Sequence, residues 1–157
     1  MTVLAPQKKG LGVGKTKRGK GTKIMAITNG NSIPVSICVT SATPHEVTLV
    51  KKSLKSRFIK TLPKWLIGDR AYDSDPLDRD LAKQDIALVA PHKRNRQQVK
   101  TQDGRTLRRY KRRWVVERFF AWLQNYRRIV VRYEQHLENF IGFVQLATAV
   151  ILMKKYF

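Results

Sequence analysis

From Met1 to His45 the chain has no carboxylate, and from Lys93 to Arg132 it sets fourteen Lys and Arg against Asp103 and Glu117 alone. Six of its eleven acids crowd between Asp69 and Asp85. Segregation this strong limits the fold, because each cationic stretch must face water or an anion while the apolar runs between them make the core. Lys and Arg total 32 against 11 Asp and Glu, a formal net charge of +21. Self-repulsion on that scale calls for an anionic partner, with nucleic acid the first candidate.

The remainder is apolar enough to fold. Hydrophobic residues make up 42% of the 157, which is one domain's worth of chain and too apolar for a disordered tail. Cys38 stands alone, so neither an intrachain disulfide nor a cysteine-based metal cage is expected. With no charged-then-apolar leader at its start, the chain reads as intracellular and soluble.

Gln7 to Lys23 holds seven basic residues spaced by five glycines, and residues 1–23 therefore read as a mobile cationic loop ahead of a folded domain over 24–157. Gly14-Lys15-Thr16 does not complete a phosphate-binding loop, since Lys9 stands where that pattern needs glycine. Lys23 to Thr28, Asn29-Gly30-Asn31 and Pro34 to Thr40 predict a β-hairpin. A helical period follows His45 and ends before Pro63, and Trp65 to Ile67 reads as a short buried strand. Ser74-Asp75-Pro76 opens another helix, and Ile86 to Ala90 is a further strand. Helices are expected from about Leu107 to Tyr126 and from about Leu137 to Lys155. The apolar stretch of the last, residues 140–153, is 14 residues and includes Gln145 and Thr148, short of the about 20 a membrane span needs, so it reads as a core helix. The order is that of an α/β domain.

Two acids stand out. Asp69 follows a strand at its carboxyl end, where open α/β sheets gather ligands, and such a carboxylate can bind a hard divalent cation. Asp73 and Asp75 lie nearby, and the plainer alternative is an acidic turn in which Asp75 caps the next helix. Glu117 is the one acid of an arginine-loaded helix. At about 100° per residue it shares an arc of about 60° with Tyr110, Arg113 and Gln124, away from the apolar stripe of Val115, Phe119, Trp122 and Leu123. The alternative for it is a weak i, i+4 pair with Arg113. His45, His92 and His136 read as surface or loop residues, Cys38 as a small buried hydrophobe, and Trp114 and Trp122 as packing residues.

Gly68-Asp69-Arg70-Ala71-Tyr72-Asp73-Ser74, followed by Tyr110, Arg113 and Glu117 in the spacing Tyr, two residues, Arg, three residues, Glu, resembles the signatures of bacterial insertion-sequence transposases of the DDE type. Gly14 to Lys23, Pro44-His45-Glu46, Pro91-His92 with Arg94-Asn95-Arg96, and Trp122 to Arg128 extend the likeness over essentially the whole chain. The resemblance implies a ribonuclease-H-like mixed sheet flanked by helices. In it two Asp and one Glu hold two Mg²⁺ or Mn²⁺ ions for the cutting and joining of DNA strands. Asp69 would be the second Asp and Glu117 the Glu. Tyr110, Arg113 and Gln124 would contact DNA, together with Lys15, Lys17, Arg18 and Lys20 of the basic segment.

Two departures bear on that reading. The family usually has Lys where Gln124 stands, so a phosphate contact there would be neutral. No carboxylate precedes Glu46, so the first Asp of the triad is absent and the domain is expected to be truncated at its first strand. The resemblance then implies the C-terminal part of a transposase, from a truncated gene or a split reading frame, inactive by itself and cytoplasmic at the nucleoid. Its partners would be transposon ends and target DNA, the upstream transposase segment or a second copy. The alternative is a non-catalytic basic nucleic-acid-binding protein that regulates the parent element.

Overall fold

The computed structural model describes residues 2–16, 19–102 and 104–156. Its organising strand is β3, Gly19–Thr28, which carries partners along both edges. β1, Thr2–Pro6, pairs antiparallel with it from Thr2↔Met25 to Pro6↔Gly21. β4, Pro34–Ser41, forms the expected hairpin with it, and β2, Gly14–Thr16, pairs with its first residues. The hairpin closes through Asn29, whose side-chain oxygen accepts from the N–H groups of Asn31 and Ile33 while Ser32 takes a positive φ of 65°.

The segment expected as a mobile cationic loop is thus largely strand. Two of its glycines serve close approach: a Cβ on Gly21 would meet the carbonyl oxygen of Ala5, and one on Gly14 the side chains of Ser41 and Thr43, while Gly10, Gly12 and Gly19 take positive φ. The boundary expected at residue 23 falls inside β3.

Alternation along β3 sends successive side chains to two different cores. Ile24 and Ala26 join Phe119, Leu123, Phe140 and Val144 on one face. Met25 joins Leu49, Leu54, Leu77 and Leu81 on the other. The second face is covered by α1, Glu46–Lys55, and α2, Asp75–Ala82. The first is covered by α4, Trp114–Gln124, the short α5, Arg127–Val130, and α6, Leu137–Tyr156. Helices on both faces of a sheet make this a mixed α/β fold. A second, parallel sheet consists of β5, Trp65–Ile67, and β6, Ala87–Val89, joined by the crossover through α2.

By length and composition alone, 137–155 is long and apolar enough to cross a membrane. Phe140, Val144, Ala147 and Ile151 of α6 are buried in the protein's own core, while Leu146 and Met153 are exposed.

The helix expected from Leu107 to Tyr126 is broken into pieces. α3, Gly104–Leu107, leads into a 3₁₀ segment, Arg108–Arg113, and only then does α4 begin. In a 3₁₀ turn residues i and i+3 eclipse, so Arg108 stacks toward Lys111 and Arg109 toward Arg112, and the winding keeps these cations crowded on one segment. α4 ends at Gln124, because Tyr126 is extended and starts α5.

Candidate nucleic-acid interface and carboxylate site

Lys15 and Lys20 are exposed and lie directly opposite each other across the β2–β3 ladder. Like charges in that position destabilise a strand pair. Lys17 and Arg18, also expected to meet DNA, lie outside the described residues. Lys23, next along β3, reaches the Pro44 carbonyl at 2.8 Å and so helps hold the strand to the start of α1.

A second cationic surface comes from the 3₁₀ segment and α4. Arg109 stacks over the Trp65 ring at 4.1 Å, Arg113 over Tyr110 at 5.4 Å and Arg118 over Trp114 at 4.3 Å. Trp114 is therefore not the packing residue its spacing predicts, being 47% exposed. Trp122 does pack against the core, with Lys155 over its ring at 4.3 Å. Gln124 is exposed in the last turn of α4, seven positions and about 10 Å of helix from Glu117.

β5 is not buried as expected, Trp65 being 45% exposed. Asp69 follows this short run at its carboxyl end as expected. Its Oδ1 accepts the Ala71 N–H at 2.9 Å and so caps the 3₁₀ turn Arg70–Tyr72. Glu117 is 39% exposed and forms the i, i+4 pair with Arg113 at 3.0 Å. Gly68 and Val116, the residues just before these two carboxylates, line one cavity of about 900 Å³ together with Arg113 and Tyr72.

Sequence reasoning left Glu46 outside the site except as part of a motif. Its carboxylate accepts from the Thr2 hydroxyl at the start of β1 and from the Tyr72 hydroxyl at 3.2 Å. Burial, with the nearby charges of Glu46 and Asp69, pushes the Tyr72 phenol well above its usual range, so it stays a neutral donor.

Asp73 and Asp75, close enough in sequence to be taken for ligands, are committed elsewhere. The buried Asp73 accepts from the Lys93 N–H at 2.7 Å, pairs with Arg96 at 2.7 Å and meets His92 Nδ1 at 2.9 Å. Burial raises the Asp73 pKa, but these partners outweigh it and hold the carboxyl below its ordinary value. Asp75 pairs with the same Arg96 at 2.6 Å rather than capping α2, whose N-cap is Ser74. His92 lies in a loop, one of the two settings expected of it, with its side chain 11% exposed. His45 and His136 are exposed, and Cys38 is buried in β4.

Among the described residues no three His, Cys, Asp or Glu side chains come together in a way that could hold a metal ion. Asp69 and Glu117, with one oxygen each already engaged, do not by themselves fit a pair of divalent ions.

Residues 2–152 match the family described as "Transposase DDE domain", and the chain belongs to that family, whose members generally use divalent metal ions. Two relatives are described as "Putative transposase for insertion sequence element", IS402 in Burkholderia cepacia and IS6501 in Brucella ovis. The first is 29% identical over 140 residues, covering 83% of this chain and 62% of its own length. The second is 42% identical over 91 residues, covering 57% of this chain and 67% of its own length. The chain thus spans less than two thirds of the first relative. No solved structure matches it.

Proposed function

We propose that this chain is the DNA-engaging part of an insertion-sequence transposase domain, and that Asp69 and Glu117 are two of the carboxylates used in cutting and joining strands. The observation that carries the DNA reading is Lys15 opposite Lys20. A repulsive pair on an exposed strand edge is relieved when a phosphate lies between the two ammonium groups. The arginines of the 3₁₀ segment, Arg109 and Arg113 propped on aromatic rings, would extend that contact toward Glu117.

Catalysis by residues 1–157 alone is not expected, because two carboxylates with no third donor among the described residues do not make a metal site. The chain would bind element ends and target DNA, and strand chemistry would belong to a protein of the relatives' length. Support for a ribonuclease-H-like arrangement comes from the antiparallel β1–β3–β4 group, the parallel β5–β6 pair and helices on both faces.

Lys20→Glu tests the interface. It should weaken duplex DNA binding about fivefold to tenfold at moderate salt, since one phosphate contact is replaced by repulsion. Unchanged affinity would remove the hairpin from the interface. Incubating residues 1–157 with nicked-site reporters in Mg²⁺ or Mn²⁺ should give no cleavage. Robust cleavage lost on Asp69→Asn would show that the site is complete in this chain.

A further inference from the structure

α6 turns one face to the core and leaves another uncovered. Asn139, Gly142, Leu146, Ala149 and Met153 are all exposed, Leu146 at 60% and Met153 at 53%. Their spacing of three, four, three and four residues confines them to an arc of about 80°, away from the buried Phe140, Val144, Ala147 and Ile151. That spacing is the seam of a coiled coil. Phe143 lies along one side of the strip and adds apolar area. Between Glu138 and Lys154 the helix carries no charge, on a chain whose net charge is +21. An uncharged, apolar strip on so cationic a molecule calls for an apolar partner.

Gly142 narrows the choice. A Cβ there would meet nothing within 4 Å, so no contact inside the molecule requires glycine. Glycine in mid-helix nonetheless destabilises the helix relative to alanine. Close approach of a second helix from outside gives the residue a use.

We propose that this strip docks a second copy of the chain, α6 against α6 in antiparallel orientation. In the register that sets Leu146 opposite Ala149, Gly142 falls opposite Met153, so each small residue receives a larger one from the other copy. Two-fold symmetry repeats both pairings. Antiparallel packing also brings the Glu138 end of each helix beside the Lys154 and Lys155 end of the other, whereas parallel packing stacks like charges. The contact runs about 24 Å along the helix, small for a specific interface, and a dissociation constant on the order of 10 μM follows. This inference concerns association of the chain with itself and rests on neither the DNA reading nor the carboxylates.

Sedimentation equilibrium of residues 1–157, stripped of nucleic acid, should show a monomer–dimer equilibrium. It should tighten about threefold or more as added salt screens the repulsion between two cationic molecules. Leu146→Glu, at an exposed position, should weaken the dimer on the order of a hundredfold, since it sets a carboxylate into each half of the seam. Gly142→Ala should raise the melting temperature of dilute protein by about 2 °C yet weaken the dimer about tenfold, a pairing of signs that a purely structural glycine does not give. On mild oxidation, Leu146→Cys mixed with Ala149→Cys should form the mixed disulfide faster than either variant links to itself. Preferential self-linking would overturn the antiparallel arrangement and with it the proposal. So would a monomer at every concentration up to about 1 mM. Association that weakens with salt would show bridging by a polyanion instead, and partition into neutral phosphatidylcholine vesicles, lost in Leu146→Glu, would assign the strip to lipid.

Discussion

Arg132 is the bulkiest side chain wholly buried among the described residues, and it has no carboxylate in direct contact. Its guanidinium donates to the carbonyls of Leu11 and Gln135 and to the Thr22 hydroxyl at 2.6–3.0 Å, and its Nε donates to the Glu134 carbonyl at 2.9 Å. Burial lowers its pKa, with Glu134 and Glu138 opposing. One cation thereby staples the loop after β1 to the segment before α6. Arg132→Met should destabilise the protein by about 3 kcal/mol, measured by urea unfolding, since several acceptors lose their donors at once. Asp73 makes the complementary case. Its folded pKa lies below the ordinary carboxylate value of about 3.9, so its stabilisation is fully present above that pH and is lost as pH falls through the folded value. Asp73→Asn should cost about 2 kcal/mol near pH 7, and the difference from the parent should shrink once the pH is taken below about 4. Neither role was legible in the sequence. Arg132 is one of fourteen cations in its stretch and Asp73 one of six clustered acids, and only long-range folding separates the buried members from the solvated ones.

Elements defined by apolar period came through the sequence well, because burial of one face sets both period and length. The hairpin of β3 and β4 and the helices α1 and α2 fall where that period places them, and α6, β5 and β6 where short or continuous apolar runs do. Two segments did not, and both are dense in cations. In residues 7–23 glycine was read as freedom, whereas Gly21 is needed because the Ala5 backbone passes too close for any Cβ. Gly21→Ala should therefore destabilise by about 2 kcal/mol or more in thermal unfolding, with β1 displaced. In residues 104–113 the helical pattern was right in kind, but residues 108–113 wind as 3₁₀ rather than α. Lys20→Glu serves a second purpose. Opposite Lys15 it converts repulsion to attraction, and it should stabilise the fold by about 0.5 kcal/mol while weakening DNA binding. Opposite signs for stability and affinity are what a functional charge pair requires.

At the scale of the whole molecule, the candidate site was legible in part. The sequence named Asp69, Tyr110, Arg113 and Glu117, and the structure links the last three through ring and ion contacts while Asp69 caps its own turn across the cavity lining. What the sequence could not convey is how that cavity interrupts the sheet between β3 and β5. A net charge of +21, densest over residues 104–128, underlies the proposal that the molecule binds polyanions. The measurement that tests this most directly is the affinity of residues 1–157 for duplex DNA as monovalent salt rises. Counterion release predicts a linear fall of log affinity with log salt, with a slope of about −4 or steeper, and Lys20→Glu should make it shallower by about one. Affinity that barely changes between low and physiological salt would contradict the account.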